Sequence, residues 1–255
     1  MNLYVVISIA LGFFIWLSDL SWWQYAEDTL PILAAFPLFY YFGEPWKFEA
    51  DKPLKTAWVY AAILFFLVGV IFNLKLLLAF SWVFFFKAIP ITQPSVSDLN
   101  KLLAIPLFGF PWVSFDANGI GWFFRLSGAN VVASLFSGFG FDVVQEGTHL
   151  IVNQVPISVE AACSGLNTLQ SMMIAGLALA YLYLKDSTLY WLNVPLLLIL
   201  AWIANTLRIL LISLTAIYIS PQFALGAFHL WGGAIVILIM FLIAYLVIRW
   251  EEKWI

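Results

Sequence analysis

The charged residues of this chain fall into a few clusters, and the stretches between those clusters are almost wholly apolar. Of the 255 residues, 64% are hydrophobic and 10% are charged. A soluble domain is about 45–50% apolar and about 25% charged. One water-soluble core cannot bury so much apolar surface, and a disordered chain has the opposite composition. The pattern therefore predicts a membrane protein.

A membrane-spanning helix needs roughly 20 mostly apolar residues, so the apolar runs predict an all-α polytopic membrane protein with about eight transmembrane helices. The fifth crossing is ambiguous because prolines interrupt its region. Either 97–113 or 119–139 crosses the membrane, and the other piece lies in the interface. The eight runs are 3–17, 30–42, 56–72, 76–86, a part of 97–139, 164–184, 188–219 and 228–248.

Lysines set the orientation, because short cytoplasmic loops carry the excess of Lys and Arg. Lys47, Lys52 and Lys55 lie between the second and third runs, whereas 18–29 carries acids and no base. This places the N-terminus and the lysine loop in the cytoplasm, and the chain in the cell (inner) membrane as a multi-pass protein.

The stretch 138–162 is unlike a membrane span. Short β-branched runs at 142–153 and 155–160 surround a Glu-Gly turn at residues 146 and 147. Such runs are typical of short strands. We expect a small extracytoplasmic β-like hairpin here.

Several function classes are excluded or disfavoured. The net charge of −3 is too weak and scattered for a nucleic-acid partner, which needs a clustered basic face. One cysteine, Cys163, rules out an intrachain disulfide. No Gly-rich phosphate loop and no metal-ligand cluster occur in the sequence, so we predict no cofactor and no metal.

Arg208 is the most unusual residue, because it lies inside an apolar run with no acid nearby in sequence. An ionisable group within a span is costly and is a functional-site hypothesis by default. The alternative is that Arg208 snorkels to a headgroup or lines a packed interface.

Helix lengths place three reactive groups at one depth. Cys163 and Arg208 each lie 22 residues from the charged turn at 185–186. His229 lies 20 residues before Arg249. At about 1.5 Å per residue, all three are roughly 30–33 Å from the inner surface, which is about the thickness of the hydrocarbon core. We therefore expect a thiol, a guanidinium and an imidazole at the outer rim of the membrane.

These groups suit acyl transfer. A helix start beside a cation lowers the pKa of a thiol such as Cys163. His229 can exchange a proton near neutral pH, and Arg208 can stabilise an oxyanion or orient a carboxylate. Taken singly, Cys163 could be a small buried hydrophobe, and His229 an interfacial histidine. His149 is kept as a second candidate base.

Three further residues are candidates for substrate-binding or supporting roles. Asn205 shares a helical face with Arg208, so it could position the guanidinium, bond a substrate carbonyl or simply pack a helix. Glu160 could pair with Arg208 or cap the following helix. Ser164 directly follows Cys163.

At these residues the sequence resembles the exosortase/archaeosortase family of membrane-embedded cysteine transpeptidases. The resemblance lies in Val-Glu-Ala-Ala-Cys-Ser-Gly-Leu-Asn at 159–167, Asn-Thr-Leu-Arg-Ile at 205–209 and His-Leu-Trp-Gly at 229–232. The family's proposed triad is a Cys, an Arg and a third residue, and a His in third place resembles the bacterial form. The resemblance implies Cys163, Arg208 and His229 as the catalytic residues.

The likeness covers roughly 97–255, which we expect to be a catalytic membrane core. Residues 1–96 resemble the family only in the number and hydrophobicity of their spans, and both parts are expected to form one integrated membrane domain.

The resemblance implies a function. Such enzymes are thought to recognise C-terminal sorting signals of secreted proteins, made of a short motif such as Pro-Glu-Pro (the PEP-CTERM signal), a transmembrane helix and a basic tail. They are thought to cleave at the outer face and transfer the new carboxyl end to a surface acceptor, which is unknown here. The partners implied are therefore the sorting signal, the acceptor and the bilayer. A transporter or channel subunit using Arg208 for an anionic substrate is the alternative, and a membrane scaffold is a third.

Overall fold

The protein is described by a computed structural model that covers residues 3–18, 29–49, 51–158 and 165–254. Of the residues that it describes, 77% are helical, and the strands among them are few and short.

Eleven α-helices and five strands lie in the described residues. The helices are α1 (Leu3–Leu17), α2 (Thr29–Phe42), α3 (Thr56–Ile71), α4 (Lys75–Ala88), α5 (Val96–Gly109), α6 (Trp112–Asp116), α7 (Asn118–Gly138), α8 (Leu166–Leu184), α9 (Asn193–Tyr218), α10 (Pro221–Leu225) and α11 (Ala227–Glu251). The strands are β1 (Lys47–Phe48), β2 (Ile91–Gln93), β3 (Val143–Glu146), β4 (His149–Val152) and β5 (Val155–Ser158). Short 3₁₀ turns precede α9 and follow α11.

The prediction of about eight transmembrane helices is wrong. Within the described ranges, two stretches are helical, long and apolar enough to cross a membrane: Thr188–Tyr218 and Trp231–Trp254. Helices α2 to α5 have only 14–16 residues. At 1.5 Å per residue they reach roughly 21–24 Å, which is short of the roughly 30 Å hydrocarbon core.

Polar residues and breaks explain the other missing spans. Helix α7 is 21 residues long but carries Arg125 and several amides and hydroxyls. Helix α8 has Asn167, Thr168 and Gln170 in its first turns. The stretch 97–139, expected to hold one crossing, is divided into α5, α6 and α7, with Pro111 before α6.

The described chain forms two compact units. The first comprises Met1–Ala117 and Met173–Tyr190, and the second comprises Asn118–Met172 and Trp191–Ile255. The boundary between residues 96 and 97 followed from family likeness and stays a prediction.

An aromatic core holds the first unit together. Trp82 of α4 is buried between Phe36, Phe86 and Phe110, with ring centroids 5.2–5.6 Å apart. Its indole nitrogen donates to the carbonyl of Ser8 at 2.9 Å, so the buried N–H group has a hydrogen-bond partner.

A buried lysine fixes the end of α8. Lys101 of α5 is only 4% exposed, and its Nζ donates to the carbonyls of Lys185 and Ser187. Both carbonyls belong to the turn that follows Leu184, the last residue of α8, and the lysine gives these backbone groups a hydrogen-bond partner. The hydroxyl of Tyr190 donates to the carbonyl of Lys101 at 2.8 Å, so Tyr190 is also bonded to α5.

The second unit holds an antiparallel sheet in the order β3-β4-β5. A two-stranded hairpin was expected, and the structure has one strand more. The extra strand follows a two-residue turn at Asn153 and Gln154, whose φ angles of 48° and 68° are those of the type I′ turn that favours hairpins. The sequence reading missed this turn because Gln is an unusual residue there.

The sheet packs on α7 and on the second half of α9. Buried apolar side chains from the three elements form one core: Ala129, Val132, Phe136, Leu150, Val152, Ile157, Ile209 and Ile212. The sheet is thereby attached to the part of α9 that begins directly after Arg208.

Candidate functional site

Helix α9 supplies the two site residues whose side chains the structure describes, Asn205 and Arg208. They are three residues apart, so they lie on one face of the helix. Asn205 is 1% exposed, and Arg208 is partly buried. The helix begins at Asn193 and continues for ten residues beyond Arg208. Arg208 is therefore about 15 Å from the end of α9, at 1.5 Å per residue.

Glu160, Cys163 and Ser164 lie outside the described residues, and the side chain of His229 does as well. The positions of these groups relative to Arg208 therefore stay predictions. What the structure describes is the backbone next to them: Gly165 after Ser164, and helix α11 around His229.

Gly165 lies directly against Asn205. A methyl group on Gly165 would be 2.7 Å from Cγ, 2.8 Å from Cβ and 2.9 Å from Oδ1 of Asn205. Glycine is also required by the backbone, because Gly165 has a φ of +73°. Its carbonyl accepts the first hydrogen bond of α8, from Leu169 N at 2.8 Å, so α8 begins directly after it. Gly165, two residues after Cys163, is therefore in contact with α9.

Gly233 of α11 lies against Arg208. A methyl group there would be 3.1 Å from Nε and 3.2 Å from Cζ of the guanidinium. His229 is four residues earlier in the same helix, on the same face. At the other end of the two helices, the amide of Asn193 donates to a carboxylate oxygen of Glu251 at 2.8 Å. The start of α9 therefore lies beside the end of α11, and the two helices are antiparallel.

Helix α7 supports α9 from another side. A methyl group on Gly128 would be 2.9 Å from Cδ1 of Ile209, so α7 and α9 approach closely. The indole nitrogen of Trp202 donates to the hydroxyl of Ser127 at 2.8 Å. Sequence reasoning assigned no role to Gly128. A small residue within an apolar helix is the signal that could have indicated this helix contact.

The other histidine is in a different setting. His149 is exposed in β4, where it pairs with Glu146 of β3 and with Ser158 of β5. Its role as a second candidate base stays a prediction.

A family comparison matches residues 9–246 to transmembrane exosortases. The chain belongs to the transmembrane exosortase family. The match covers most of the 255 residues, so the exosortase likeness extends well beyond the 97–255 that the motifs indicated. Exosortases are membrane cysteine transpeptidases, which agrees with a peptidase-like enzyme. The comparison with curated proteins found no match, and neither did the comparison with solved structures.

Proposed function

We propose that this exosortase is a thiol transpeptidase that cleaves C-terminal sorting signals of exported proteins and transfers the new carboxyl end to a surface acceptor. Cys163 is the nucleophile, His229 exchanges protons, and Arg208 holds the developing negative charge. The observation that carries the proposal is the packing of two glycines on one face of α9. Gly165, which directly follows the cysteine segment, contacts Asn205, and Gly233, four residues after His229, contacts Arg208.

A guanidinium within an apolar helix supports this proposal. Arg208 is in a stretch of α9 with mean hydropathy 2.1, where a charge is expensive to keep. A side chain that only snorkelled would have no reason to face the backbone of Gly233 in a neighbouring helix. Arginine cannot act as a base, but its fork of donors binds an oxyanion or a carboxylate.

The proposed reaction has two steps, acylation of Cys163 and transfer to the acceptor. In the first, the thiolate of Cys163 attacks the scissile carbonyl carbon, whose π electrons move to the oxygen. The C–N bond then breaks, the amine leaves with a proton from His229, and a thioester remains on Cys163. In the second, an acceptor O–H or N–H attacks the thioester carbonyl and gives its proton to His229, and the C–S bond breaks to release the thiolate of Cys163.

The sheet supports a site near the water-exposed side of the membrane. An open sheet has edge strands whose free backbone groups cannot be satisfied by lipid. Here the sheet packs on Ile209 and Ile212 of α9, within one turn of Arg208. The arrangement fits a membrane-anchored enzyme whose site lies at the outer rim, facing the extracytoplasmic side, where the motif of a sorting signal emerges from its own helix.

The proposal is tested by co-expressing the chain with a tagged secreted protein that ends in Pro-Glu-Pro, an apolar helix and a basic tail. The size of the tagged protein is followed on a gel. Wild type should shorten it, and Cys163→Ala should not, at equal enzyme levels. Shortening by Cys163→Ala at the wild-type rate would overturn the proposal.

Two matched pairs of variants test the other roles. His229→Ala should abolish processing, whereas His149→Ala, which changes the other histidine, should retain it. Arg208→Gln should abolish processing, whereas Arg249→Gln, in an exposed ion pair with Glu252, should retain it. Equal effects within either pair would remove the residue concerned from the mechanism.

A further inference from the structure

Asn205 is an exception among the polar side chains buried in α9. The others have hydrogen bonds: the hydroxyls of three donate to carbonyls of their own helix, and the amide of the fourth donates to Glu251. These four are Thr206, Ser213, Thr215 and Asn193. For Asn205, neither Oδ1 nor Nδ2 has a hydrogen-bond partner in the described part of the chain.

Helix packing does not explain this amide. A buried amide without partners destabilises the folded state, and buried polar groups are nearly always paired. An apolar residue of the same shape would fill the space without that cost. The amide does not hold the guanidinium of Arg208 either, since neither of its polar atoms is bonded to it.

The position of the amide indicates its use. Its Cγ and Oδ1 face Gly165, which has no side chain and directly precedes α8. Cys163 is two residues before this contact, and Arg208 is one turn further along the same face. An amide that has no hydrogen-bond partner among the described residues and a positive charge therefore lie one turn apart on one face of α9, and the amide contacts Gly165, which follows the cysteine segment.

We propose that the amide of Asn205 is an oxyanion donor, a catalytic residue that hydrogen-bonds the carbonyl oxygen of the scissile bond as it becomes negative. The inference rests on the proposed function. When the thiolate attacks, the oxygen gains an electron pair, and Nδ2–H of Asn205 donates to it. When the thioester forms, the carbonyl is restored and the hydrogen bond weakens. Because the amide is already desolvated, it needs no reorganisation at that moment.

The test uses the full chain in membranes with the tagged substrate described above. Asn205→Leu keeps the shape of the side chain and removes the donor, and Asn205→Ala is the smaller variant if leucine disturbs folding. Thr206→Val is the matched control, since it changes the adjacent buried polar residue. Loss of one oxyanion donor should slow processing about 100- to 1000-fold. Thr206→Val should stay within about threefold of wild type, because it removes no oxyanion donor.

Two further readouts distinguish a catalytic role of Asn205 from a structural one. Cys163 is the one cysteine of the chain, so a maleimide labels it alone. Labelling of Asn205→Leu should proceed at the wild-type rate, and its thermal unfolding midpoint in detergent should be equal or higher, because an unpaired amide has been removed. A structural asparagine would instead lower the midpoint and alter the labelling.

The outcomes are distinct. Processing by both Asn205 variants within tenfold of wild type, while Cys163→Ala is inactive, overturns this inference and leaves the proposed function standing. Slow processing that is matched by a lower unfolding midpoint also overturns it. If Cys163→Ala processes normally, or if wild type processes no substrate, the proposed function fails and this inference fails with it.

Discussion

Replacing Gly165 with alanine tests the contact on which the site is built. Gly165 has a φ of +73°, and an added methyl group would lie 2.7 Å from Cγ of Asn205. Gly147, in the turn between β3 and β4, offers a matched control. Its φ is +61°, and an added methyl group there would meet nothing within 4 Å. The two substitutions therefore share the backbone strain and differ in the clash.

The magnitudes follow from these two terms. A non-glycine residue in the left-handed region costs roughly 1–2 kcal/mol, partly offset by about 0.4–1 kcal/mol from a less flexible unfolded chain. Gly147→Ala should thus destabilise by about 1 kcal/mol. Gly165→Ala must also displace Asn205, and overpacking of this kind costs about 1–3 kcal/mol. Its total should be about 2–4 kcal/mol.

Unfolding of the two variants in detergent measures the difference, and processing of the tagged substrate measures its consequence. A displacement near 1 Å in an active site can cost about 100-fold in rate, so Gly165→Ala should process at most about 1% as fast as wild type. Gly147→Ala should process normally once corrected for folded protein. Equal destabilisation and equal processing by the two variants would refute the contact between Gly165 and Asn205.

Three further substitutions test other contacts. Gly233→Val should abolish processing, because its side chain would displace the Arg208 guanidinium that lies 3.1 Å from the added carbon; a tagged substrate still shortened on the gel at the wild-type rate would contradict this. Ser127→Ala removes the acceptor of the Trp202 indole and should lower the free energy of unfolding by about 0.5–1.5 kcal/mol, whereas an unchanged value would show that the bond is not maintained. Lys101→Met should cost about 1.5–3 kcal/mol, since a charged donor is lost, with processing per folded molecule preserved; an unfolding midpoint equal to that of wild type would argue against the cap.

Hydrophobicity alone identified the membrane class but not the number of spans. The runs 188–219 and 228–248 correspond closely to the two stretches long enough to cross a membrane. The other runs were judged by composition, whereas spanning depends on uninterrupted helix length. In 97–139 the break between α5 and α7 was visible as prolines, but the resulting lengths were not.

The strand region was predictable because β-branched residues alternate there around a turn containing glycine. Its third strand was not, since the second turn uses Asn153 and Gln154. In the site, the sequence identified the helix face of Asn205 and Arg208 from their spacing. It could not indicate that Gly165 and Gly233 touch these two side chains, because contacts between segments far apart in sequence are set by packing and leave no local pattern.

The most direct test of the central claim is detection of a substrate thioester on Cys163. The enzyme is incubated with the tagged substrate, quenched in acid and analysed by mass spectrometry, with Cys163→Ala in parallel. The account predicts a substrate-derived adduct on Cys163 that hydroxylamine releases and that Cys163→Ala lacks. Shortened substrate with Cys163 unmodified, and equal shortening by Cys163→Ala, would contradict it.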